Sequence, residues 1–134
     1  MTADFLERLQ RGPILCDGAM GTQIYARGIS FEHCYDELNL SQPEAILDIH
    51  RGYVEAGAEI LETNTFGANR FRLIEHELEH QIAEINHAGV RLARQAASES
   101  RGSAPVYVAG SIGPLGVRLA PLGRVSPAEA FAAF

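Results

Sequence analysis

Pro13-Ile14-Leu15-Cys16-Asp17-Gly18-Ala19-Met20-Gly21-Thr22 decides how this chain is read, because a short apolar run empties into an acid and two glycines. Such a junction sets a carboxylate and free backbone N–H groups at the C-terminal end of a strand, where parallel α/β proteins bind small ligands. The pattern recurs. Ala58-Glu59-Ile60-Leu61-Glu62 runs into Thr63-Asn64-Thr65-Phe66-Gly67, and Val106-Tyr107-Val108-Ala109 runs into Gly110-Ser111-Ile112-Gly113-Pro114. Long stretches with helical periodicity lie between these runs. The order strand, helix, strand, helix, strand predicts parallel pairing through right-handed crossovers, and so an α/β enzyme.

The helices are placed by their end signals. Ser41-Gln42-Pro43-Glu44 has the form of a capping box, followed by Ile46, Ile49, Tyr53 and Val54 on one face and by Gly57 as a stop. Asn69 to Glu77 reads as a further helix. Ile82, Ile85, Gly89, Leu92 and Ala96 then form a narrow stripe of small and apolar residues suited to close packing against a sheet. Ser98 to Pro105 reads as a polar connector and Leu115 to Val125 as loop, and Ser126-Pro127-Ala128-Glu129 is a second capping box opening a helix with Phe131 and Phe134 as its apolar positions. No stop signal follows. Three strand-helix units close neither a barrel, which takes about 250 residues, nor a doubly wound sheet, so the chain is expected to be the truncated first part of a larger domain.

Composition narrows the partners. The 134 residues are 46% hydrophobic, with a net charge of -6 and no Lys/Arg cluster, which argues against nucleic acid, whose phosphates require a concentrated basic face. Met1 to Arg8 mixes both signs of charge and no segment approaches the roughly 18 apolar residues of a membrane span, so a cytoplasmic protein with a small-molecule partner is expected. Cys16 and Cys34 make no disulfide framework and have no metal-ligand spacing; Cys16 reads as a small buried hydrophobe inside the first strand.

One motif points elsewhere. His76-Glu77-Leu78-Glu79-His80 matches H-E-x-x-H, which on a helix sets two imidazoles on one face for zinc with the glutamate as general base, the pattern of a zinc-dependent hydrolase. Its extended form needs Gly where Ala83 stands and His where Asn86 stands, and the helical period breaks between Glu77 and Glu79, so the segment reads as a solvated helix junction. His50 lies on the apolar face of its helix and reads as a hydrogen-bonded core histidine; His33 lies in loop.

Taken in order, Asp17-Gly18-Ala19-Met20-Gly21-Thr22, Glu37-Leu38-Asn39, Thr63-Asn64-Thr65-Phe66-Gly67-Ala68 and Gly110-Ser111-Ile112-Gly113-Pro114 resemble the N-terminal part of the homocysteine S-methyltransferase domain over nearly the whole chain. The resemblance is closest to the branch in cobalamin-dependent methionine synthase and in proteins that fuse this domain to a methylenetetrahydrofolate reductase. It implies about three βα units of a (β/α)8 TIM barrel spanning residues 1–134, and methyl transfer to the thiol of homocysteine to give methionine. It also implies zinc as the thiol activator. The family's zinc ligands are cysteines of later strands, including an adjacent pair that this chain lacks. A folate or cobalamin methyl donor is implied, with FAD where a reductase domain is fused, and reductase or cobalamin domains as C-terminal neighbours.

What remains for this chain is the amino-acid end of the substrate. Backbone N–H groups around Gly18, Ala19, Met20 and Gly21 are expected to receive the homocysteine carboxylate, with Asp17 orienting the ammonium group or the loop itself. Thr63 and Asn64 would line the neighbouring wall, and Ser111 is a further candidate at the third strand end. For Asn64 and Thr65 a helix-capping role stands beside the pocket role, Met20 reads equally as packing, and Gly113-Pro114 reads as loop geometry. A zinc hydrolase built on His76 to His80 and an inactive partial chain are the alternatives.

Overall fold

The computed structural model describes residues 4–102 and 104–134; Met1 to Ala3, and Ser103 within the connector, lie outside the described residues. Two strands form the sheet. β1 (Ile60–Glu62) pairs parallel with β2 (Tyr107–Ala109), with Ile60 opposite Tyr107, Leu61 opposite Val108 and Glu62 opposite Ala109. The expected first strand is reduced to one parallel bridge between Cys16 and Ile60, in which the Asp17 N–H donates to the Ile60 carbonyl at 2.9 Å and the Glu59 N–H to the Leu15 carbonyl at 2.8 Å. All three segments run parallel in chain order, as the strand-helix alternation predicts. The first segment pairs with β1 on one side, through Leu15 to Asp17. That edge position leaves Leu15 57% exposed and Cys16 exposed as well, against the expectation of a buried thiol.

Helices cover the sheet. After α1 (Phe5–Leu9), α2 (Met20–Ala26) and α3 (Leu38–Ser41) comes α4 (Pro43–Glu55), which buries Ile46, Leu47, Ile49 and His50; Gly57, at φ +102°, lets the chain turn from α4 into β1. Ser41 does not cap α4. It is the last residue of α3, its hydroxyl donates to Glu37 at 2.8 Å, and the N-cap position falls to Gln42, which makes no side-chain cap bond. An N-cap needs non-helical backbone, and the preceding turn has already made Ser41 helical.

The predicted stripe of α6 (Ile82–Ser98) is buried at Ile85, Gly89, Leu92 and Ala96, with Ile82 half-buried, and α6 lies chiefly against α4, with β1, β2 and α3 beside it. Gly89 is required by that approach: a Cβ there would lie 2.7 Å from Thr65 Cγ2 and 2.9 Å from Asn39 Nδ2. One core cluster joins Ile24, Leu38, Ile46, Leu47, Leu61 and Leu92, and a smaller one joins Ala68, Leu73 and Ile85. Bidentate pairs tie the ends of the layers, Arg8 to Glu59 with both bonds at 2.7 Å, and Arg51 to Glu99 at 2.7 and 3.1 Å.

The stretch from Asn69 is one turn of helix, α5 (Arg70–Leu73), capped by the Asn69 side chain, then a 3-10 turn (Ile74–His76) that ends where Glu77 takes a left-handed conformation, φ +59°. Both halves of the Ser126 capping box form on α7 (Pro127–Ala132). Its inward residues are Ala130 and Ala133, whereas Phe131 and Phe134 are 86% and 69% exposed, the reverse of the expected face. His50 is fully buried as expected, but neither ring nitrogen has a hydrogen-bond partner among the described residues, and burial lowers its pKa to about 4.

Candidate functional site

Above the C-terminal ends of the three parallel segments lies a cavity of about 710 Å³. Asp17, Gly18, Ala19, Met20, Gly21, Thr63, Asn64 and Ser111, drawn from three separate strand ends, all line it. Parallel pairing is the cause, since it brings every strand-to-helix junction to one end of the sheet.

Each junction is held differently. Asp17 Oδ2 accepts the Glu62 N–H at 3.0 Å and Oδ1 accepts the Cys16 thiol at 3.5 Å, so this carboxylate fastens the first loop to the end of β1. Burial raises the Asp17 pKa, and the negative charge of Glu62 adds to the rise. The loop then enters α2 through Ala19, whose side chain offers no cap to the first-turn N–H groups. Gly18 is needed for a close approach: a Cβ there would meet the Tyr53 hydroxyl at 2.9 Å, and that hydroxyl donates to the Ala19 carbonyl at 2.8 Å.

At the second and third junctions the polar side chains are joined to one another. Thr65 donates its hydroxyl to the Ser111 carbonyl at 2.8 Å, so Thr63 is the donor of the 2.6 Å bond between the two threonines, and Thr63 also accepts the Ser111 N–H at 3.0 Å. Asn64 donates to the Tyr35 carbonyl at 2.8 Å and to Asn39 Oδ1 at 3.0 Å, and Asn39 donates back to the Asn64 carbonyl at 2.7 Å and to Ile85 at 3.2 Å. Neither Asn64 nor Thr65 caps the following helix, because Asn69 fills that role. Gly113 is indeed a matter of geometry. Its N–H donates to the Phe66 carbonyl at 3.0 Å, and a Cβ would clash with that same oxygen.

Several cavity residues were not anticipated. Asp36, whose carboxylate accepts the Gly67 N–H at 2.9 Å and is pushed up in pKa by burial, faces the cavity with Tyr35, Phe66 and Arg72, while Glu62 occupies the last position of β1. Tyr35, Asp36 and Arg72 lie outside the strand-end runs, and only the fold carries them there. Glu62 was visible as the last strand residue before Thr63.

His76, though exposed, also reaches the cavity wall, but His76 and His80 belong to different 3-10 turns with Glu77 left-handed between them, so the single helical face that a zinc hydrolase requires is not formed. Among the described residues no group of three or more His, Cys, Asp or Glu is placed to hold a metal ion. Burial pushes both thiols up, with Asp17 adding to the effect at Cys16.

The sequence of residues 14–134 matches the homocysteine S-methyltransferase family, and the chain belongs to it. It is 38% identical over 128 residues to methionine synthase of Mycobacterium tuberculosis, covering 90% of this chain and 11% of that protein; the Mycobacterium leprae methionine synthase is 38% identical over 128 residues, with 90% and 10% covered. The metallated form of the Escherichia coli homocysteine methyltransferase MmuM superposes with a TM-score of 0.70 at 30% identity, over 82% of this chain and 41% of that one. Its oxidised form gives 0.73 at 29% identity, over 85% and 42%. The chain thus spans about a tenth of the methionine synthases and about two fifths of MmuM.

Proposed function

We propose that these residues build the amino-acid end of a homocysteine pocket in the first part of a (β/α)8 barrel, within an enzyme that methylates the homocysteine thiol to give methionine. The observation that supports this most directly is the cavity over three parallel strand ends, lined by the Asp17–Gly21 loop, Thr63, Asn64 and Ser111, in a chain of this family. Homocysteine carries a carboxylate and an ammonium group on one carbon. The uncapped N–H groups of the Gly18 to Gly21 stretch suit the carboxylate, and Asp17 keeps that stretch against β1.

Thr63, Thr65 and Ser111 hold the second and third strand ends at a fixed separation, and the Asn64–Asn39 pair holds the Tyr35–Asp36 wall. These residues orient the amino acid; they do not transfer the methyl group. We further propose, from the family, that zinc activates the thiol through ligands on later strands of the barrel, with the methyl donor a folate or cobalamin; among the described residues no group of three or more His, Cys, Asp or Glu is placed to hold a metal ion. We propose a cytoplasmic location; no helix among the described residues is long and apolar enough to cross a membrane.

The test is expression of the complete reading frame that contains these residues, with calorimetric titration of homocysteine and an assay for methionine formation from a methyl donor. Saturable homocysteine binding with methionine as product is expected. Absence of homocysteine binding by the folded, metal-loaded protein overturns the reading.

A further inference from the structure

We propose that Glu62 recognises the ammonium group of the amino-acid substrate and that Ser111 positions it. This rests on the homocysteine pocket proposed above and assigns a group within it. Glu62 ends β1 at the cavity, and its backbone N–H is the donor that holds Asp17, so its side chain starts next to the loop proposed to take the substrate carboxylate. That adjacency is what an α-amino acid requires, because its two charged groups share one carbon.

Of the two carboxylates at this corner, Asp17 has both oxygens engaged by protein donors, Glu62 N–H and the Cys16 thiol. Glu62 is exposed and accepts a single long bond, 3.4 Å, from the Ser111 hydroxyl to Oε2; its other oxygen has no hydrogen-bond partner among the described residues. A carboxylate anchored on one oxygen and open on the other, facing a cavity, has the capacity to accept the strong charge-assisted bond that an ammonium donates. Ser111 can serve as the anchor because its own N–H and carbonyl are fixed by Thr63 and Thr65, which sets where its hydroxyl starts. Asp17 is then the residue that shapes the loop, and Glu62 the residue that tests the ligand.

Binding of homocysteine and of 4-mercaptobutanoate, the same molecule without its ammonium group, decides the matter in the complete, metal-loaded protein. The wild type should prefer homocysteine by about ten- to hundredfold, the worth of one charge-assisted hydrogen bond. Glu62→Gln should abolish that preference while 4-mercaptobutanoate binds within about twofold of wild type; Glu62→Asp, which keeps the charge, should restore part of it, and Ser111→Ala should lose part of it. Equal weakening of both ligands by Glu62→Gln makes Glu62 structural and overturns the proposal, as does a preference that survives the substitution. A wild type that binds both ligands equally sinks the role of Glu62 but leaves the homocysteine pocket standing. One that binds neither sinks both.

Discussion

The Asn39–Asn64 amide pair, which joins α3 to the end of β1, and the last helix are held by opposite kinds of interaction. Asn39 and Asn64, 25 residues apart, are buried and bonded to each other, to the Tyr35 carbonyl and to Ile85 in α6, so each depends on segments distant in the chain. Helix α7 is opened by a capping box between residues three apart and turns two phenylalanines outward. The first arrangement can form only when the fold is complete. The second is specified within its own turn, so damage to the two should differ in size and in reach.

The largest effect is expected at the seam. Asn39→Ala leaves the Asn64 amide and carbonyl without their buried partner, and with an unsatisfied buried group costing about 1–3 kcal/mol the protein should lose about 3 kcal/mol in denaturant unfolding. A loss below about 1 kcal/mol would erase the contrast with α7.

His50 sharpens the comparison through pH. Its folded pKa of about 4 lies below the ordinary 6.5, so the unfolded chain binds the proton more readily, and stability falls as pH drops from about 6.5 towards 4. Over that window the loss should approach about 3 kcal/mol. His50→Leu should remove this component of the pH slope, while hydrogen exchange in α7 should show none of it. An unchanged slope in the variant would mean that His50 gains a partner in solution.

The two capping sequences provide a smaller and cleaner test. Ser126→Ala should cost about 1 kcal/mol and fray α7 locally, whereas Ser41→Ala, which removes only an exposed bond to Glu37, should stay within about 0.5 kcal/mol. Equal costs would show that Ser41 caps α4 in solution after all. The smallest effect belongs to Phe131→Ser, within about 0.5 kcal/mol in unfolding, because that ring is already in water.

The sequence by itself determined the strand-helix order, the parallel pairing, the buried stripe of α6 and the Ser126 box, whereas the packing of that stripe chiefly against α4 rather than the sheet, with Gly89 against Thr65 and Asn39, came from the fold. It also brought the eight candidate residues to one cavity, because ligand-facing loops in parallel α/β folds follow directly on apolar runs. These are local signals, written in residues a few positions apart. Tertiary structure alone decided the rest: that Ser41 belongs to α3, that Cys16 is exposed at a single parallel bridge to β1, that α7 faces inward through alanines, and that His50 is buried with no hydrogen-bond partner among the described residues. It also carried Tyr35, Asp36 and Arg72 to the cavity and gave Asn39, visible only as part of a motif, its three bonds. The physical reason is the same in each case. Burial and hydrogen-bond partnership are properties of what packs on a residue from elsewhere in the chain, and no window of neighbouring residues contains that information.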